Sequence, residues 1–136
     1  MKSPQEIVDQ LMLANDEYSQ WLGIEILHLE AGRCEANMKV RKEMLNGFHI
    51  AHGGITYALA DSVFAFAINS FGYQAVSVES SISHTKKVVV GDILTAKSKL
   101  LNKTSKFGIY HVEVINQANE CVALFKGTAY ITSKMW

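Results

Sequence analysis

The sequence is short of proline and cysteine and carries no net charge. Its single proline is Pro4, so no proline-rich linker divides the 136 residues, and we expect one domain over residues 1–136. The 13 basic residues balance the 13 acidic ones, which leaves no overall field to attract nucleic acid or an anionic membrane. Two cysteines are too few for a disulfide scaffold, which favours a reducing compartment.

Long hydrophobic runs are also missing. The longest apolar stretch, residues 54–71, is shorter than the roughly 20 residues that a membrane span needs, and it contains Asp61 and Asn69. The first residues do not form the apolar core of a signal peptide. We therefore expect a cytoplasmic protein whose apolar stretch is a buried helix.

Hydrophobic periodicity predicts the element order α-β-β-α-β-β-β-β. Ser3-Pro4-Gln5-Glu6 has the form of a capping box, and the apolar residues after it predict a helix over about residues 4–19. Alternation over residues 23–41, with Ala31-Gly32 as the turn, predicts a hairpin. A second helix, apolar on nearly every side, is predicted over residues 55–71. Further strands are predicted at about 74–86, 92–103, 107–117 and 120–132.

Strands in adjacent hairpins favour an antiparallel sheet. A helix that is apolar on all sides is buried best by a sheet that curls around it. The fold class predicted from the residues is therefore α+β, with the second helix at the centre.

Asp61 is the unusual residue of the central helix, because a carboxylate in an apolar segment is costly to bury without a partner. It either faces a crevice, bonds a nearby backbone group, or takes part in chemistry. The same helix opens with Gly53-Gly54, where N–H groups lack intrahelical acceptors and lie at the positive end of the helix dipole. These glycines can form an oxyanion hole that a carbonyl approaches closely, or they can simply form the turn into the helix.

Asp61 follows Gly53 by eight residues, so the two lie on the order of 12 Å apart along the helix axis. A reacting carbonyl must be about 3 Å from both the oxyanion donors and the base, which one helix cannot arrange. Two antiparallel copies can place the glycine end of one helix opposite the aspartate of the other. We therefore predict two active sites shared across a homodimer interface.

A set of residues and spacings extends from the first helix to about Thr132. Its members are Asn46, His52-Gly53-Gly54, Asp61, Gly72, Ser77, Gly91-Asp92 and Val122–Gly127. In this pattern the chain resembles the hotdog-fold thioesterases of the phenylacetate-pathway, PaaI-like, type. The resemblance implies a hotdog fold, in which an antiparallel sheet wraps a long central helix, and an enzyme that hydrolyses acyl-coenzyme A. It also implies dimers that pair into tetramers. We expect no cofactor, since coenzyme A is part of the substrate.

The resemblance also implies roles for individual residues. Asp61 matches a general base or nucleophile, and the Gly53 N–H, helped by Asn46, polarises the thioester carbonyl. Ser77 matches a position that assists water or the carboxylate. His52 matches a residue that supports the carbonyl or shapes the loop, and a hydrogen-bonded loop histidine without a chemical role remains the alternative.

Substrate contacts are expected around the start of the central helix, at Gly54. Phe48 and Tyr57 can line an acyl pocket, although most aromatic residues there must be core. Lys86 and Lys87 stand where the family commonly has arginine followed by proline. They can bind coenzyme A phosphates, although a lysine at a strand end is usually just solvated. The resemblance points to a phenylacetyl-type or medium-chain acyl group.

Three other functions are alternatives. A non-catalytic hotdog module that binds acyl-CoA is the main alternative, and the retained Asp61 argues against it. A hotdog hydratase would use an Asp/His pair, but no histidine follows Asp61 on the helix. A metal enzyme is disfavoured because only His49 and His52 are close in sequence, without a carboxylate or thiol to complete a ligand set. We expect no metal.

Overall fold

The computed structural model describes all residues, 1–136. Six strands form one antiparallel sheet in the order β1-β2-β4-β5-β6-β3. The strands are β1 (Glu25–Glu30), β2 (Arg33–Lys39), β3 (Tyr73–His84), β4 (Ile93–Lys103), β5 (Phe107–Ile115) and β6 (Cys121–Met135). The α-helices are α1 (Glu17–Leu22) and α2 (Gly53–Asn69). This confirms the α+β class and the alternating helix and strand order predicted from the sequence.

Helix α2 lies at the centre and contacts β2, β3, β4, β5 and β6. Its apolar side chains join a single cluster of 28 buried residues. Gly127 on β6 lets the sheet approach α2 closely, because a Cβ atom at this position would lie 2.8 Å from the ring of Phe64 on the helix. No helix has the length and apolar character that spanning a bilayer requires.

One face of α2 is only partly covered by the rest of the chain. Beyond Gly54, the half-buried residues of the helix recur at helical spacing and form a single stripe. We call it the open stripe; its members are Tyr57, Ala58, Asp61, Ser62 and Ala65. The Tyr57 hydroxyl bonds Ser80 on β3, so the stripe borders that strand.

The amino-terminal segment departs from the single helix predicted over residues 4–19. The capping box is confirmed, because the Glu6 N–H donates to Ser3 Oγ (3.1 Å) and the Ser3 N–H donates to Glu6 Oε2 (2.7 Å). The continuous helix is wrong. π-Helical turns (Glu6–Met12) and a 3₁₀ turn (Leu13–Asn15) end at Asp16, which caps a new helix by accepting the Ser19 N–H at 2.9 Å.

Strand β3 forms an edge of the sheet and pairs with β6 alone. Its register shifts at a bulge between Ser77 and Glu79, and both Val76 and Val78 are 57% exposed. An edge strand with exposed apolar side chains presents unpaired backbone groups to a second strand. The free edge of β3 and the open stripe of α2 thus lie side by side.

Candidate active site

A cavity of about 400 Å³ lies at the amino-terminal end of α2. It brings together four residues that the sequence singled out: Asn46, Gly53, Lys86 and Lys87. Asn46 lies in the loop before α2, and Lys86 and Lys87 follow β3. Because these residues line one cavity, the two segments meet at the start of the helix. The cavity therefore combines hydrogen-bond donors with positive charge.

The hydrogen bonds at the helix start distinguish the two glycines. His52 is the N-cap, and its Nδ1 accepts the Gly54 N–H at 2.9 Å. The Ile55 N–H donates to the His52 carbonyl at 3.1 Å. The Gly53 N–H has no acceptor in the chain, so it is the member of the glycine pair that is free to bind a carbonyl.

Asn46 is held by its own loop. Its Oδ1 accepts the N–H groups of Phe48 (2.9 Å) and Ile50 (3.4 Å). These bonds fix the side chain and leave its amide N–H groups without an acceptor in the chain. Asn46 can therefore add a second donor beside Gly53 in the cavity.

Asp61 lies on the open stripe and does not line this cavity. Burial raises the pKa of its carboxyl group, and no charged or hydrogen-bonding neighbour offsets that effect. At eight residues from Gly53 in a continuous helix, it lies on the order of 12 Å away along the axis. A single chain does not bring Asp61 and the free Gly53 N–H together.

The other residues predicted for the site lie outside this cavity. Ser77 is exposed on β3, next to the bulge. Tyr57 is anchored by Ser80 and packs edge-to-face on Phe125, with ring centroids 5.6 Å apart. Phe48 is 85% exposed in the loop before α2. His52 and Gly54 line a separate cavity of about 370 Å³, together with Tyr18 and Trp21.

The two lysines differ in their surroundings. Lys86 Nζ lies 2.8 Å from Glu120 Oε2, and this bond raises the pKa of Lys86 and lowers the pKa of Glu120. Lys87 has no ion-pair partner within the chain. Lys87 is therefore free to meet an anion at the cavity, whereas Lys86 must first leave Glu120.

Among the titratable side chains that line the cavity, His84 is the one to which sequence reasoning gave no role in the site. It ends β3, and its Nε2 lies 3.0 Å from the position that a Cβ atom on Gly53 would occupy. A contact between residues 31 positions apart leaves no local pattern in the sequence. The structure contains no group of three or more His, Cys, Asp or Glu side chains placed to hold a metal ion.

Comparison with known proteins places this architecture in a family. The sequence profile described as Thioesterase superfamily matches residues 48–123. The acyl-coenzyme A thioesterase PaaI of Escherichia coli is 37% identical over 119 residues, which are 88% of this chain and 85% of that protein.

Solved structures agree with the sequence match. The E. coli PaaI protein, from the phenylacetic acid degradation operon, matches with a TM-score of 0.90 and 35% identity, covering 93% of this chain and 92% of that one. A Streptococcus mutans protein solved with bound acetyl-CoA matches with a TM-score of 0.80 and 27% identity, covering 83% and 91%. The chain therefore belongs to the Thioesterase superfamily, as a hotdog-fold thioester hydrolase of the PaaI-like type.

Proposed function

We propose that the protein hydrolyses acyl-coenzyme A thioesters to a free acid and coenzyme A, in active sites that two copies of the chain share. The observation that carries this proposal is a separation of complementary groups. The free donors of Gly53 and Asn46 line one cavity, while Asp61 lies unpartnered on the open stripe of the same helix. Each half of the apparatus lacks what the other supplies.

The surface around Asp61 suits a second copy of the chain. The open stripe includes Ala58 and Ala65, whose small side chains allow another helix to approach closely. Beside it, the unpaired edge of β3 can pair with the same edge of a two-fold related copy. In an antiparallel arrangement the helix start of one subunit faces Asp61 of the other. The family resemblance extends this to a dimer of dimers.

The chemistry needs few groups, because a polarised thioester is readily attacked. Gly53 N–H and the Asn46 amide stabilise the negative charge that develops on the carbonyl oxygen. Asp61 of the facing subunit either removes a proton from the attacking water or attacks the carbonyl carbon itself. Coenzyme A then leaves as the thiolate. On the first route this step gives the free acid directly, whereas on the second it leaves a mixed anhydride on Asp61, which water hydrolyses to release the acid. A carboxyl group whose pKa is raised by burial accepts a proton more readily than an ordinary aspartate does.

The relatives support the proposed substrate class. Acetyl-CoA is bound in the S. mutans structure, and the E. coli relative comes from a phenylacetic acid degradation operon. Lys86 and Lys87 give the cavity a positive rim suited to phosphate groups. Within this class we propose an aromatic, phenylacetyl-type, or medium-chain acyl group.

Thiol release from a panel of acyl-CoAs tests the proposed function. Purified protein is expected to release coenzyme A from at least one aromatic or medium-chain thioester, while a matched oxygen ester of the same acid reports general esterase activity. Tight binding of acyl-CoA without release would indicate a binding module instead. Sedimentation should show a dimer or larger species, and a fully active monomer would contradict the shared site.

Freeing Lys86 is expected to improve substrate binding. In Glu120→Gln the ion pair is lost, so Lys86 can reach a substrate phosphate, and KM should fall roughly two- to fivefold at low salt with kcat unchanged. Glu113→Gln, which removes an exposed carboxylate from β5, is the matched control. An equal KM for both variants and the parent would show that Lys86 does not contact the substrate.

A further inference from the structure

His84, at the end of β3, lies beside the glycine pair that opens α2. Its ring lies against Gly53, in the cavity that Asn46 also lines. No hydrogen bond within the chain occupies its ring nitrogens, and the residue is exposed to the cavity and solvent. A histidine with free nitrogens beside a free backbone N–H is a candidate hydrogen-bond donor.

The distances allow one oxygen atom to bind both groups. Nε2 of His84 lies 3.0 Å from the Cβ position of Gly53. A Cβ atom lies about 2.5 Å from its own backbone nitrogen, so Nε2 is at most about 5.5 Å from the Gly53 nitrogen. Two hydrogen bonds of about 2.9 Å span slightly more than that. In a helix the Cα–Cβ bond also tilts toward the amino terminus, the direction in which the N–H groups point.

His84 is important because few hydrogen-bond donors at the helix start are free to bind a developing oxyanion. His52 occupies the Gly54 N–H, so of the glycine pair only Gly53 has a free backbone donor. A developing oxyanion is stabilised by each preorganised donor that points at it. A third donor beside Gly53 and Asn46 compensates for the one that the helix cap has taken.

We propose that His84 is a catalytic residue that donates a hydrogen bond from Nε2 to the thioester carbonyl oxygen, together with the Gly53 N–H and the Asn46 amide. This rests on the proposed thioesterase function. The bond strengthens as negative charge develops on the oxygen, so its loss lowers kcat more than it raises KM.

Three variants test the assignment by turnover. His84→Phe keeps a planar ring without a donor, and its kcat should fall about 10- to 100-fold with KM changed by no more than about twofold. His84→Gln retains an amide donor and should recover part of that loss. His28→Phe, at an exposed histidine on the opposite edge strand, is the matched control and should equal the parent. An unchanged kcat in His84→Phe would overturn the proposal.

A readout without turnover separates the two proposals. An unreactive acyl-CoA ketone, with a methylene group in place of sulfur and a ¹³C-labelled carbonyl, is bound to the parent and to His84→Phe. Loss of a donor should raise the infrared carbonyl stretching frequency in the variant. A shift without any thioesterase turnover would keep the His84 contact and reject the proposed function. An unchanged frequency in the bound analogue would reject the His84 contact even if thioesters are hydrolysed.

Discussion

Asp61→Asn is expected to lower kcat/KM for the acyl-CoA substrate by about 10²–10⁴-fold, because asparagine has nearly the same shape but cannot accept a proton. If the carboxylate is the nucleophile, the loss should be larger still. Thiol release by the variant and the parent, measured side by side, gives the ratio. Asp9→Asn, at an exposed aspartate near the amino terminus, is the control and should retain full activity. Equal rates for Asp61→Asn and the parent would remove Asp61 from the mechanism.

The pH profile of the parent should carry the signature of the same carboxyl group. Burial raises the pKa of Asp61, and the reaction needs its ionised form. Activity is therefore expected to fall with decreasing pH through a pKa above the ordinary aspartate value of about 3.9. This fall in activity at low pH should be absent from the residual activity of Asp61→Asn.

The stability of the Asp61→Asn variant should move in the opposite direction from its activity. The folded-state pKa of Asp61 exceeds its unfolded value, so the parent loses stability as pH rises through the unfolded pKa toward the folded one. Asparagine has no charge to bury. The variant should therefore unfold at a higher temperature than the parent at pH 7. This difference in unfolding temperature should shrink when the pH falls below the pKa that Asp61 has in the unfolded chain. A variant no more stable than the parent at pH 7 would show that the carboxylate is well solvated.

Local sequence patterns predicted the individual elements well. The capping box at Ser3 and Glu6, the turn at Gly32 and the apolar helix α2 each depend on residues within a few positions of one another. The break at Asp16 was missed because apolar residues continue at helical spacing on both sides of it. The strand order was not predictable in this way, since β2 pairs with β4 and β3 with β6 across long stretches of chain.

The candidate site, too, could be predicted from the sequence only in part. Asp61 attracts notice in the sequence because its charge conflicts with its apolar neighbours. Nothing near His84 marks it, because its importance comes from a packing contact with Gly53. The loss of Gly54 as a donor depends on the orientation of the His52 ring, which a sequence does not contain. Local anomalies thus identify charged groups, whereas donor geometry requires the fold.

Mixing two inactive variants is expected to restore activity. Asn46→Asp keeps the Oδ1 that holds the loop but replaces the free amide donor with a carboxylate oxygen, so it should lower kcat by about 10²–10³-fold. Asp61→Asn damages the other half of the site. In a mixed dimer one site contains both changes, while the other combines an intact Asn46 from one subunit with an intact Asp61 from its partner.

Subunit complementation is therefore the most direct test of a site divided between two chains. Asn46→Asp and Asp61→Asn proteins carrying different tags are mixed in equal amounts, and reassortment is verified by pulling down one tag and detecting the other. Half of the dimers are then mixed, each with one intact site, so the mixture should recover about one quarter of the parent activity. A reassorted mixture that stays at the mean of the two inactive variants would show that each chain builds its active site alone.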